Sequence, residues 1–289
     1  MVITISNEFI SCTVDSHGAE IRSVKNVQNG KEYMWNADPS FWNRTSPVLF
    51  PVVGKYCEET SFYNKEAWHM GSQHGFARDM EFILVDQTEE SVLFELTESE
   101  ETLKKYPFAF VLQIGYELVE ETVNVIWRVK NTDDKTIYFS IGAHPAFLCE
   151  IGKDRILIEG KDTDALKRRM LNKDGLATDE VREVSAKDGY LNLTDELFSE
   201  DALVFEDSQV SSVAIENAAG DKIITVSFDS PLVGIWSPVG KHAPFICIEP
   251  WYGRTDREGF KGEISEREWG NSLEEGKIFE SVYSITVHA

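Results

Sequence analysis

The sequence predicts an all-β chain folded as a large antiparallel β-sandwich with a few short helices. Three observations carry this. Apolar residues recur with a period of two, turn signals separate the periodic runs at short intervals, and helical patterns are few. No linker, internal repeat or sharp composition break divides the sequence, so a single domain over residues 1–289 is expected.

In chain order, periodic segments at 2–6, 9–14 and 19–24 read as strands, and Asn29-Gly30 follows as a turn signal. Segments 80–86 and 92–97 come next. The clearest pair begins at Phe110, with Leu112, Ile114, Tyr116 and Leu118 apolar and mostly small or polar residues between them. After Glu120-Glu121 the pattern resumes at Val123, Val125, Trp127 and Val129, which predicts a long hairpin with one buried face. Segments 137–141, 156–159, 203–206, 213–217, 222–228, 233–236 and 279–287 complete the strands, with a turn at Ala219-Gly220-Asp221. Residues 99–105 open on a capping serine and stop before Pro107, which predicts a short helix. Residues 194–198 predict one capped turn. The polar stretch 160–187 reads as surface excursions.

Acidic residues outnumber basic ones 50 to 28, for a formal charge of -22. Such a surface repels phosphate backbones and anionic lipid, so neither nucleic acid nor membrane is an expected partner. A few local cations can still reverse the field inside one cleft. The opening MVITISNEF has no basic segment followed by a long apolar core, so no secretion signal is expected. No run approaches the ~18 apolar residues of a membrane span. Cys12, Cys57, Cys149 and Cys247 are scattered, which argues against a zinc or disulfide framework and for a reducing cytoplasm. Cys247, inside an apolar run, reads as a small core residue.

Several side chains could carry chemistry. Glu249 ends the apolar run 245–248 and precedes Pro250. A carboxylate beside a buried strand is costly unless paired or reactive, and desolvation would raise its pKa into the range of a general base. The alternative is a buried salt bridge to Arg254 or Arg257. His144, at the end of segment 137–141 and before Pro145, sits where backbone geometry is restricted, and an imidazole titrates near pH ~6.5. His74 lies between glycines in GSQHGFAR and is either close to a ligand or at a tight turn. Arg44, in the aromatic- and proline-rich segment 41–55, offers a rigid donor fork for hydroxyls, carboxylates or phosphates, or stands exposed on a loop. Arg78 offers a second anion-binding group or pairs with a surface acid. Asp201, before the strand 203–206, either accepts from substrate hydroxyls or is one of many surface acids. Trp251 offers an aromatic face to the C–H side of a sugar ring or to the core. A metal site of His74, His144 and Glu249 is a further reading, weakened by the long intervals between ligands.

NRTSPVLFPVVGK, HGFARD, GAHPAF, DALVF and CIEPWYGRTD, in this order along essentially the whole chain, resemble the aldose 1-epimerase (galactose mutarotase-like) family, in its lactose-operon-associated, mutarotase-related branch. The resemblance implies a supersandwich whose concave face binds a monosaccharide with neither metal nor organic cofactor. By position, Glu249 would be the base that deprotonates the anomeric hydroxyl and His144 the acid that protonates the ring oxygen. His74 would position that oxygen, while Arg44 and Asp201 would hold other hydroxyls. HGFAR is also similar to the hexose-6-phosphate 1-epimerases, in which Arg78 and Arg44 would help form an anion site. The expected partner is therefore a sugar or sugar phosphate, and a homodimer is left open. Ala143 and Pro145 around His144, and Pro250-Trp251 after Glu249, depart from the galactose mutarotase pattern. A non-catalytic carbohydrate-binding protein on the same fold is thus a third reading. The catalytic reading expects Glu249 and His144 to face each other across a pocket about one pyranose wide.

Overall fold

The structure is a computed structural model that describes residues 1–288. Two large antiparallel sheets dominate it. The nine-stranded sheet runs in spatial order Tyr190–Asn192, Arg155–Gly160, Val210–Glu216, Lys222–Phe228, Ile278–Val287, Thr122–Asn131, Phe110–Val119, Ser91–Thr97 and Ile83–Gln87. The eight-stranded sheet runs Ala177–Val184, Leu166–Leu171, Leu203–Phe205, Leu232–Trp236, Phe245–Tyr252, Ile141–Ala143 and Val48–Leu49, with Ala146–Leu148 also paired to Phe245–Tyr252. A three-stranded sheet of Val2–Ser6, Ile10–Asp15 and Glu20–Asn26 packs Ile5, Ile10 and Val14 into the same core, and two short ribbons complete the fold.

The predicted sandwich is what forms, and for the predicted reason. Val123, Val125, Trp127 and Val129 from one sheet share a core cluster with Phe205, Ile235, Ile246 and Ile248 from the other. Burying each such side chain is worth about 1.5–3 kcal/mol. Phe245–Tyr252 is buried on both faces. Ile246 and Ile248 enter the main core, while Phe245 and Cys247 join Trp35 and Ala146 in a second cluster. Burial on both faces explains the continuous apolar run.

Several sequence expectations are corrected. Residues 160–187 contain a hairpin, Leu166–Leu171 with Ala177–Val184, at the edge of the eight-stranded sheet. Ala177–Val184 is exposed over most of its length, so no alternation marks it as a strand, and its charges suit an edge that must not pair further. Segment 137–141 is split: Ile137–Phe139 pairs with Asn271–Leu273, whereas Ile141–Ala143 belongs to the eight-stranded sheet. Hence His144 follows Ala143, not Ile141. The predicted helix at 99–105 is a single 3-10 turn, Thr102–Lys104. The capped turn after Thr194 is present, with Thr194 Oγ1 accepting from the Leu197 amide. The ribbon Thr60–Tyr63 with Glu66–His69 was not expected from the sequence.

Candidate active site

Strand register builds the central pair. Gly142 lies opposite Trp251 and Ala146 opposite Cys247, so continuing the register places His144 opposite Glu249. Side chains directly opposite on one face have Cβ atoms ~4.5–5.5 Å apart. Glu249 Oε2 accordingly lies 3.4 Å from His144 Nε2. The two groups therefore adjoin one another and do not face each other across a pocket, which corrects the expected geometry. Both are almost dry, at 2% and 8% exposure, yet both line a cavity of ≈ 340 Å³. That volume falls within the ~300–1,000 Å³ of small-molecule sites.

Glu249 does not continue its strand's end; the strand passes through Pro250 to Tyr252. Pro250 is tolerated because it lies between Ile141–Ala143, paired further along the strand, and Ala146–Leu148, paired before it. The salt-bridge alternative fails. Arg254 is taken by Glu206, at 2.6 Å, and by Glu268, and Arg257 by Asp179 and Glu268. Glu249 Oε2 has no hydrogen-bond partner among the described residues. Burial raises its carboxyl pKa well above the ordinary value, and the charge of Asp201 adds to the rise. Burial also lowers the His144 pKa to about 3, helped by the charges of Arg78 and Arg44.

Aromatic rings fix the imidazole. Trp42 stacks on His144 with centroids 4.7 Å apart, and Trp236 meets it edge-on at 5.6 Å. His74 stands 5.5 Å away, its ring nearly perpendicular to that of His144. The Gly54 amide donates to His74 Nδ1 at 3.1 Å, which assigns the proton of the neutral ring to Nε2. Burial lowers the His74 pKa, as do His144 and the nearby cations, so the ring is a neutral single donor. His74 itself adopts φ 65°, and the following Gly75 packs so tightly on the Phe50 carbonyl that no Cβ fits there. Gly75 thus serves backbone packing, whereas Gly71 adopts φ 75° in open space.

Asp201, Arg78 and Trp251 also line the cavity. Arg78 is 9% exposed; its Nη2 donates to the Gln73 carbonyl at 2.7 Å, and its Nε makes no hydrogen bond but lies 3.7 Å from Asp79 Oδ2. Burial first, then the Arg44 charge, lowers its pKa to about 10. Arg44 is not among the lining residues, and Asp79 holds its Nη2 at 2.7 Å. Sequence reasoning missed Trp42, Trp236, Lys55, Gln73 and Thr255 on the cavity wall. Trp42 and Lys55 belong to the aromatic segment around Arg44, which was a usable signal; Trp236 ends a strand and gave none. The residues whose ligand atoms converge are His144, Cys247 and Glu249, without His74.

The site sets an acid–imidazole pair under aromatic walls in a β-sandwich, and comparison with known proteins gives the family. Residues 1–286 match the model of the aldose 1-epimerase family, and the chain belongs to that family. It is similar in structure to a galactose mutarotase related enzyme from Lactobacillus acidophilus, with a TM-score of 0.93 and 34% identity over 100% of this chain and 98% of that one. A galactose mutarotase-like protein from Lactobacillus casei ATCC 334 gives a TM-score of 0.94 at 30% identity over 100% of both chains. The chromosomal protein LacX of Lactococcus lactis subsp. lactis is 30% identical, over 99% of this chain and 94% of that protein. Among the described residues, no helix is long and apolar enough to cross a membrane.

Proposed function

We propose that this protein interconverts the α and β anomers of a hexose, with Glu249 and His144 acting as one proton-transfer unit. The observation that carries the reading is Glu249 Oε2, which has no hydrogen-bond partner among the described residues and lies 3.4 Å from His144 Nε2 in the cavity wall. The two oxygens that exchange protons in mutarotation are bonded to a single carbon. A base and an acid that adjoin each other match that spacing better than a pair on opposite walls.

Ring opening starts from the distribution in which the pair's one proton sits on His144, and the Glu249 carboxylate then takes the proton of the anomeric hydroxyl. The C1–O1 bond gains double-bond character, the C1–O5 bond breaks, and O5 keeps the electron pair and takes the proton from His144 Nε2. The C1–C2 bond rotates, and the reverse transfers close the ring on its other face. Opening leaves the proton on Glu249 and the imidazole neutral. Burial favours that same arrangement, so the cavity stabilises the proton distribution of the open-chain intermediate. His74 Nε2–H is a donor suited to the ring oxygen, and Trp42, Trp236 and Trp251 offer faces to the sugar C–H groups.

Each group contributes on the order of 10²–10⁴-fold. Glu249→Gln and His144→Asn are each expected to reduce anomer exchange by such a factor, measured by saturation-transfer NMR, with unchanged circular dichroism. Wild-type rates in either variant would remove the proposed roles. A hexose phosphate is the second reading, favoured by Lys55 and Arg78 on the cavity wall. A higher kcat/KM on hexose 6-phosphates than on free hexoses would select it. Saturable sugar binding without accelerated exchange would instead assign a binding protein.

A further inference from the structure

Cys247 stands two residues before Glu249, on the same face of Phe245–Tyr252, and its partner Ala146 is two residues after His144. In consequence the thiol, the imidazole and the carboxylate each offer a ligand atom within 4.8 Å of the others. Mutarotation makes no use of the thiol, which is fully buried. The Glu249 side chain is 2% exposed, and its Oε2 has no partner among the described residues.

We propose that His144, Cys247 and Glu249 form a site for a thiophilic divalent cation, Zn²⁺ foremost, whose occupation blocks the proton-transfer pair. Blocking rests on the functional reading above; the site itself does not. Tetrahedral bonds of about 2.0–2.3 Å place neighbouring ligand atoms ~3.3–3.6 Å apart. The 3.4 Å between His144 Nε2 and Glu249 Oε2 already meets this. Rotation of the short Cys247 side chain closes the remaining gap, and a water from the cavity supplies the fourth ligand. One thiolate, one imidazole and one carboxylate favour Zn²⁺ over Mg²⁺ or Ca²⁺, which take oxygen ligands. Cys247 and Glu249 project from one strand and His144 from the two-residue gap between two strands paired to it, so the set is held firmly. Binding forms the metal–sulfur and metal–carboxylate bonds as the thiol proton and the Glu249 carboxyl proton leave to solvent. The bound cation occupies the lone pair of His144 Nε2 and a carboxylate oxygen, and neither can then exchange a proton with sugar.

Co²⁺ is the probe that separates the site from the activity. Titration of the metal-free full chain is expected to bind one equivalent with a thiolate-to-cobalt charge-transfer absorption. Cys247→Ala and Cys247→Ser should each lose that absorption while keeping the wild-type circular dichroism, and Cys149→Ala should keep it. Zn²⁺ should displace the cobalt. In the same preparations, one equivalent of Zn²⁺ should cut wild-type anomer exchange at least tenfold, reversibly with chelator, and leave Cys247→Ala unaffected. No charge-transfer band, or its persistence in both Cys247 variants, overturns the site. A cobalt band with Zn²⁺-insensitive turnover overturns the inhibition. If the wild type accelerates no anomer exchange, the functional reading fails and the cobalt result still decides the site.

Discussion

At Glu249 burial holds the carboxyl proton on, and at His144 burial keeps the imidazole neutral down to about 3. Such neighbours titrate as a pair, and the proposed relay works only when the pair carries one proton. Below the depressed imidazole value the pair gains a second proton; above the raised carboxyl value it loses its last. The profile of kcat/KM against pH should therefore be flat through the ordinary histidine range near ~6.5. Its alkaline limb reports the loss of the pair's last proton. An acid limb near ~6.5 that disappears in His144→Asn would contradict this. The same shifts bear on stability. A carboxyl raised in the folded chain contributes stability in full below its unfolded value, and loses it as pH rises through the folded value. Glu249→Gln removes that penalty, so at neutral pH it should be more stable than wild type by about 1–2 kcal/mol while being inactive, as active-site replacements often are. Thermal unfolding followed by circular dichroism checks it; a lower Tm would mean that Glu249 has a stabilising partner.

Among the elements, Leu232–Trp236 and Ile141–Ala143 each carry a glycine where Trp251 needs room. A Cβ on Gly142 would lie 2.6 Å from Trp251 Cδ1, and one on Gly234 would overlap the far edge of the indole. The two glycines thus form the slot that seats a cavity-lining ring two residues from Glu249. Gly234→Ala is expected to cost about 1–3 kcal/mol through overpacking and to raise KM by displacing Trp251. Unchanged Tm and KM would show that the ring moves freely. Neither glycine could be understood from the sequence, because each meets Trp251 only after three strands have paired. The same limit applies to Glu249 and His144. Each stood out singly in the sequence, one beside a buried run and one before proline. Their contact did not, because it depends on the register between segments far apart in the chain. Alternation made the hairpin of Phe110–Val119 and Thr122–Asn131 legible in full, since one face meets water. It failed at Leu166–Leu171 and Ala177–Val184, whose edge position leaves charges on both faces, and that hairpin brings Leu171 and Gly175 to the cavity.

Across the whole molecule, sequence order and spatial order diverge most at Ile278–Val287. This strand lies between Lys222–Phe228 and Thr122–Asn131, well inside the nine-stranded sheet. The sheet therefore closes only when the distant end of the chain arrives, a contact pattern that slows folding. The strand inserts Tyr283, Ile285 and Val287 into the main core. At about 1.5–3 kcal/mol for each buried side chain, their loss approaches the ~5–15 kcal/mol of net stability available to a folded protein. Removal would also open two long edges with unpaired backbone groups in the middle of a sheet. A chain ending at Lys277 is thus expected to show no cooperative thermal transition and to aggregate, even though every cavity-lining residue is retained. Light scattering and circular dichroism on that truncation are the check. A monomeric product that melts cooperatively near the wild-type Tm would mean that the two halves of the nine-stranded sheet are stable without their shared strand.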